Sequence, residues 1–454
     1  MGRLLAGLAA ALLVGLPAWE AHARPGHVPR PGDDRLEHHR PTRPSASVGA
    51  FDGHEAAALG HGHHALMQRA RAMGSGTGVL PATSPMRMWA MPAGSWLWML
   101  HGNLVAGLNR QAGPRGAEAW AAENWQMLMG SGAVGPGLMD LRLMTSLEPW
   151  SLPPGGTPQL FQTGETWQGR PLVDRQHPHD ALAELSARYT WALAEQASLF
   201  VYGGLVGEPA LGPVAFMHRP SAADNAWAPL GHHLQDATHI SHGVVTAGLG
   251  LGEWRLEGSA FNGREPDEDR VGVVLRPLDA WAARLSWVPD PRWVLQASTA
   301  RLRDPEPLAP GDVERTTASA MVAQPVPGGL WSTTALWSHQ VEAHDGTRRP
   351  LLGWGLESQY DFGATHLYGR AEWLDKAGLP GAEPHGVKRV GAFTVGLARD
   401  LDWSDALDLA IGGDATSLAV PTDLVPGYGE APLSWRVYLR LRPPTMAHDP
   451  RPSP

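Results

Sequence analysis

Apolar and polar residues alternate with a period of two along most of the chain beyond Met86. Trp354, Leu356, Tyr360 and Phe362 share one parity, and Gly355, Glu357, Gln359 and Asp361 take the other. In the next segment His366, Tyr368, Arg370 and Glu372 oppose Leu367, Gly369, Ala371 and Trp373. Leu185, Ala187, Tyr189, Trp191 and Leu193 oppose Glu184, Ser186, Arg188 and Thr190, and Trp435, Val437, Leu439 and Leu441 oppose Arg436, Tyr438, Arg440 and Arg442. A period of two puts successive side chains on opposite faces of a strand, so these segments predict strands with one apolar face.

About sixteen segments carry the pattern. They lie near residues 95–110, 117–131, 136–147, 183–195, 197–208, 239–250, 252–262, 270–277 merging into 279–288, 291–303, 313–324, 328–341, 349–361, 364–375, 388–400, 404–413 and 432–442. Tight turns at Glu195-Gln196, 250–252, Pro289-Asp290-Pro291, Pro327-Gly328-Gly329, Gly363 and 402–404 alternate with long connections at about 148–182, 209–238, 263–278, 303–312, 342–348, 376–387 and 414–431. One rim of turns and one of loops predicts an all-β fold, a transmembrane up-and-down antiparallel β-barrel of about 14–16 strands. A soluble all-β domain or a propeller would share the alternation; the loop asymmetry favours the barrel.

Composition sharpens the compartment. Met1–Arg3 is a short basic start, Leu4–Leu16 an apolar run and Ala21-His22-Ala23 a small-residue cleavage pattern, so residues 1–23 read as a signal peptide. No later run approaches the roughly 18 apolar residues of a transmembrane helix. With no cysteine, thiolate sites and disulfides are excluded. The net charge of −9 comes with no basic run that would suggest nucleic acid. Gly at 54 and Pro at 41 favour turns and strands, and Trp at 20 suits the interfaces of a membrane. Residues 24–85 hold His27, His38, His39, His54, His61, His63 and His64 among Pro, Gly and Arg, and read as a largely disordered or partly helical periplasmic leader, with room for a short helix around Glu55–Ala72, or as a loose metal-collecting tail. Such a leader is too short for a dedicated plug domain. Residues 444–454 read as a disordered tail.

Across residues 86–443 the chain resembles the Gram-negative outer-membrane β-barrel class in architecture. The resemblance implies an outer-membrane location, lipid around the wall and passive movement of a small solute, without assigning any residue a role. A departure is the segment after Arg442, since barrels of this class usually end on an aromatic residue.

Candidate chemistry concentrates between Arg175 and Glu268. The loops there leave alternate strands and therefore emerge at one rim, so distant residues can converge. His177, His179, His218, His232, His233, His239 and His242 are the candidate metal ligands, with Asp180, Asp236, Glu208 and Glu265 behind them. Imidazole with carboxylate suits a transition metal ion, zinc or copper, and Met217 beside His218 would favour copper. No His-Glu-x-x-His pattern is present. The plain alternative is that these loops cap the barrel and satisfy its buried charges.

A catalytic alternative rests on His239-Ile240-Ser241-His242-Gly243, which is similar to the His-x-Ser-Asn-Gly motif of outer-membrane phospholipase A. That resemblance implies an acyl hydrolase with Ser241 as nucleophile, His239 as base and Asp236 orienting it; His242 stands where the family has Asn. A separate set, Arg188, Arg255, Glu257, Glu357, Arg370, Glu372, Arg436 and Arg440, falls on the predicted lumen face, where opposite charges either line water or interlock. The expected function is binding or passive conduction of a small solute, with a metal ion as the leading candidate. The acyl hydrolase and a purely structural barrel are the alternatives.

Overall fold

The computed structural model describes residues 62–344, 347–382 and 386–446. The expected signal peptide, most of the leader and the end of the tail lie outside the described residues. In chain order the strands are Trp89–Ala93 (β1), Trp96–Arg110 (β2), Glu118–Val134 (β3), Gly137–Thr145 (β4), Thr157–Trp167 (β5), Arg170–Gln176 (β6), Leu182–Ala194 (β7), Ala197–Gly207 (β8), Ser241–Leu251 (β9), Trp254–Phe261 (β10), Ala280–Trp287 (β11), Trp293–Leu302 (β12), Val313–Val326 (β13), Gly329–His344 (β14), Thr347–Phe362 (β15), Thr365–Ala377 (β16), Val387–Leu401 (β17), Asp408–Ala419 (β18) and Leu433–Arg442 (β19).

Sixteen of these make one closed antiparallel barrel. Each pairs with the next along the chain, β4 passes directly to β7, and β19 returns to β2 with Leu441 opposite Leu104. β1 pairs with the Trp96–Leu100 half of β2, which leaves the Leu104–Arg110 half to β19. β5 and β6 form a separate hairpin within the β4–β7 connection.

The wall has the polarity of a membrane barrel. On β10, Trp254, Leu256 and Ala260 are exposed while Arg255, Glu257, Ser259 and Phe261 are buried; on β19, Leu433, Val437 and Leu439 are exposed while Arg436, Tyr438, Arg440 and Arg442 are buried. Apolar outside and charged inside is the reverse of a soluble barrel, and is what a lipid-facing wall around a polar interior requires. Trp254, Trp287 and Trp293 flank the short-turn rim, the first two stacked with ring centroids 5.3 Å apart, as in an interfacial aromatic girdle.

Three insertions fill the interior, one of them the 146–181 connection, whose Leu160 and Phe161 pack with Leu230 and Leu234. Another is the N-terminal stretch that the sequence assigns to a loose leader, of which the described part is ordered from residue 62. Helix Gly62–Arg71 (α1) buries Ala65, Leu66 and Ala70, and Arg69 grips Asp140 on β4 through two bonds of 2.6 and 2.8 Å. Beyond it, Arg142 donates to the carbonyls of Gly74 and Gly76 at 2.9 and 2.6 Å, and Arg284 donates to Thr77 Oγ1 at 2.7 Å. Inward-facing arginines need acceptors, and this segment brings them.

The third insertion is the 208–240 connection. It crosses to the far wall, where Ser221 meets Thr334 on β14, Trp227 donates to Asp414 on β18 and Gly231 N–H donates to Glu372 on β16.

One predicted strand is corrected: residues 270–277 belong to the 262–279 connection, and only Ala280–Trp287 enters the sheet. Arg270 is drawn inward by Glu165 and Asp180 instead.

Candidate metal centre

Two inward-folded connections deliver the imidazoles. His177 and His179 follow β6. The proline between them disfavours helix, yet the rings do not lie side by side, standing edge-on with centroids 6.1 Å apart. His232 and His233 open the short helix His232–Gln235, and His239 closes the 3-10 turn after it. His232 lies 5.2 Å from both His233 and His239 between ring centroids, His177 lies 5.5 Å from His233, and His179 lies 5.3 Å from His239. The ligand nitrogens of His177, His232 and His233 all lie within 4.8 Å of one another.

An oxygen stands behind every ring. Nδ1 of His232 meets Asp236 Oδ1 at 2.6 Å, that of His179 meets Glu148 Oε2 at 2.8 Å, and that of His239 meets the Asp236 carbonyl at 2.8 Å. Nδ1 of His177 meets the Pro178 carbonyl at 3.1 Å, and that of His233 meets Glu265 Oε1 at 3.3 Å. Carbonyls and carboxylates accept, so these partners assign the proton of each neutral ring to Nδ1 and leave a lone pair on Nε2. The Nε2 atoms of His177, His179, His233 and His239 are buried without a hydrogen-bond partner. A buried polar atom left unpaired costs about 1–3 kcal/mol. Two of the four, on His177 and His233, belong to the group whose ligand nitrogens lie within 4.8 Å of one another, and Glu165 Oε1 stands 3.2 Å from the first of them.

Electrostatics keep most of the rings in the coordinating form. Burial holds His177 and His239 well below the usual imidazole range, lowers His232 against the pull of Asp236, and brings His233 down to about 4. At His179 burial acts the same way, but the Glu148 carboxylate outweighs it and the pKa is raised. Metal binding needs neutral imidazole, and four of the five rings are already neutral near pH 7.

Arg219 locks the arrangement to the wall. Fully buried, it donates to Asp236 Oδ2 at 2.7 Å, to both oxygens of Glu357 at 2.8 Å, and to the Val214 carbonyl at 2.9 Å. Asp236 thus couples strand β15 to His232. Gly164 makes room on the other side: its φ is +123°, and a Cβ there would lie 2.3 Å from the His233 ring.

The structure brings His177, His179, His232, His233 and His239 together, with Asp236 and Glu265 behind them, and places the other expected residues elsewhere. The cluster lies inside the barrel, since both connections fold inward rather than standing over the rim. His218 is elsewhere, its ring 4.6 Å from Trp125 and 6.3 Å from His101. His242 is on β9, with Nδ1 accepting from Val274 N–H and Nε2 3.3 Å from Asp180; Asp180 also pairs with Arg270. Glu208 faces Gly76 of the N-terminal segment. Ser241 Oγ donates to the Thr238 carbonyl at 3.0 Å rather than to His239, and Asp236 is committed to Arg219 and His232. The nucleophile and base of an acyl hydrolase are therefore not assembled.

Three carboxylates escape the sequence reading. Glu148 holds His179, Glu165 Oε1 lies 3.2 Å from His177 Nε2, and Glu306 groups with His233 and Glu265. A signal existed for two of them. Glu-Pro recurs at 148–149, 208–209, 265–266, 306–307 and 383–384, each in a long connection, the last of them outside the described residues.

The charged residues assigned to the lumen face are buried and interlock. Arg188 pairs with Asp140, Arg284 with Glu257, Arg370 with Glu357, Arg436 with Asp414 and Arg440 with Asp224; Arg255 donates to the Thr77 carbonyl and Glu372 accepts from Gly231.

A closed sixteen-strand wall with an apolar exterior, a charged and filled interior, and short turns opposite long connections defines a transmembrane β-barrel of the outer-membrane type. Solved structures of that type are similar to it in fold. They include a loop-deletion mutant of OmpT from Vibrio cholerae (8% identity, 77% of this chain and 99% of that one, TM-score 0.46), the anion-selective porin of Comamonas acidovorans (11%, 76% and 99%, 0.44) and Salmonella typhi OmpF in complex with daunomycin (10%, 78% and 100%, 0.46). No protein-family model and no curated protein matches the sequence.

Proposed function

We propose that this barrel, seated in outer-membrane lipid, binds a divalent transition-metal ion inside its lumen, zinc or copper(II), with His177, His232 and His233 as ligands. The observation that carries the reading is the ring of imidazoles whose Nδ1 atoms are all held by oxygen while buried Nε2 atoms go unpaired. Metal-ligating histidines are held this way, because the outer oxygen fixes both tautomer and ring orientation. Tetrahedral coordination at about 2.0–2.1 Å sets ligand nitrogens roughly 3.3 Å apart, so closure on an ion asks each ring to move by roughly 1 Å.

Two cavities give the site its neighbours. One of about 270 Å³ reaches from Glu165, His233, Glu265 and Glu306 to the long-loop ends of β13, β14, β15 and β16. Another of about 50 Å³ adjoins His177, His179 and Glu148 on the far side. The wider approach carries both signs, with Arg315, Arg349 and Lys376 among Glu165, Glu265, Glu306, Glu342 and Asp375. The filled interior supports stepwise passage of a bound ion over free diffusion through a water column.

Calorimetric titration of the refolded full chain with Zn(II) tests the reading. The wild type should bind one ion, and His177→Ala with His232→Ala should weaken binding at least a hundredfold. Equal binding by both proteins would remove the site.

A further inference from the structure

The opposite end of the lumen holds a second set of potential ligands, of a different kind. Six buried methionines and four partly buried ones, out of 14 in the chain, pack into one cluster on the inner wall and against α1. Strand register explains the concentration. Met99 and His101 alternate inward on β2, Met127 and Met129 do so on β3, and pairing sets His101 opposite Met127 and Met99 opposite Met129. Directly opposed side chains start from Cβ atoms about 4.5–5.5 Å apart, close enough for both to reach one ion. Met144 on β4 continues the row beside Met127.

These side chains border a cavity of about 120 Å³, which Met73, Met86, Met127, Met129, His101 and His218 help to line. Methionine is an ordinary packing residue, so its presence alone would mean little. Two polar atoms make the difference. His101 Nε2 and Asn103 Oδ1, two residues apart on β2 and both bordering the cavity, are shielded from solvent and have no hydrogen-bond partner. Three nearby guanidinium groups are committed to carboxylates, Arg87 to Asp361, Arg442 to Asp224 and Arg219 to Glu357. A fourth guanidinium, that of Arg71 on α1, also lines the cavity, and the groups there able to act as ligands are neutral thioether and imidazole.

We infer that this chamber is a second metal site, selective for a soft monovalent ion, copper(I), bound by Met127, Met129 and His101. Thioether sulfur prefers soft ions and contributes little to binding zinc. Among the described residues no carboxylate lines this cavity, so the charge of a divalent ion would stay uncompensated there, unlike beside the imidazole cluster. The site shares no proposed ligand with the imidazole cluster, so either can fail without the other.

The test uses the refolded full chain in detergent, titrated anaerobically with Ag(I) as a redox-inert soft ion and with Cu(I) against a chromophoric chelator. Met127→Leu with Met129→Leu keeps volume and should preserve the fold. It should weaken Ag(I) and Cu(I) at least tenfold and leave Zn(II) unchanged, whereas His177→Ala with His232→Ala should do the reverse. X-ray absorption of the wild type loaded with one Cu(I) provides a readout that needs no variant, and sulfur neighbours at about 2.3 Å are expected. Unchanged Ag(I) affinity in the methionine variant, or a copper shell of nitrogen and oxygen alone, would overturn the assignment.

Discussion

The two chambers of this lumen are built by different means. The imidazole cluster is assembled from connections that fold inward, and each of its rings is held in place by an oxygen from another part of the chain or its own backbone. Several of the methionines opposite are set by the wall itself, through inward parity and register on β2, β3 and β4. Loops can bring together residues as far apart in sequence as Glu148 and Glu306, at the cost of needing anchors such as Arg219. Strand rungs need no anchor, but they offer only residues on neighbouring strands. Charged ligands and oxygen partners therefore gather where loops meet, and the neutral ligands lie where the wall alone decides.

Arg219→Ala should have the largest effect, because this residue anchors the imidazoles and also borders the methionine cavity. It would leave Glu357 to pair with Arg370 alone and Asp236 with His232 alone, and losing one partner of a buried pair costs up to about 3–5 kcal/mol. A lower denaturant midpoint for the detergent-folded barrel, together with weaker binding of both ions, is the expected result; loss of Zn(II) binding alone would confine its role to one chamber.

Asp236→Asn should separate the chambers more cleanly. It keeps the shape but removes the charge behind His232, and the loss of such an outer partner typically costs 10–100-fold in metal affinity. Titration should show that loss for Zn(II) and no change for Ag(I). Gly164→Ala should give a smaller effect of the same kind, roughly tenfold, by pushing His233 out of line. Here too Ag(I) binding is the internal control, and a simultaneous fall in both affinities would mean that the hairpin supports the whole interior.

Glu306→Gln should act through pH. Burial, then the neighbouring Glu265 carboxylate, raises the Glu306 pKa to about 8. Between about 4.5 and 8 the folded metal-free protein then holds a proton that the unfolded chain has given up, so this group's contribution to stability falls as pH rises through that window. Glutamine stays neutral throughout. The variant should show a flatter decline of denaturant midpoint between pH 5 and 8, and an unaltered slope would mean that the carboxyl is ionised in the folded protein.

The recurring Glu-Pro pairs show how far the site could be read in advance. The sequence points to Glu208 and Glu265 equally, but only Glu265 backs an imidazole, because Glu208 is taken up by the N-terminal segment. His218 and His242 failed for a similar reason: neighbours in sequence, they were separated by the path of the chain. That path follows long-range pairs such as Arg219 with Glu357 and Arg270 with Glu165, which no local pattern announces.

What the sequence determined by itself was the wall. Period-two alternation and turn residues are local, so all sixteen barrel strands, their two rims and their inward charges were legible, while the short β1 and the loop hairpin were too brief or too irregular to stand out. Only the tertiary structure decided what fills the wall. Which connection folds inward, which acid backs which imidazole, and which methionine faces which histidine depend on register and on the pairing of charges across the lumen, and both are set when the barrel closes.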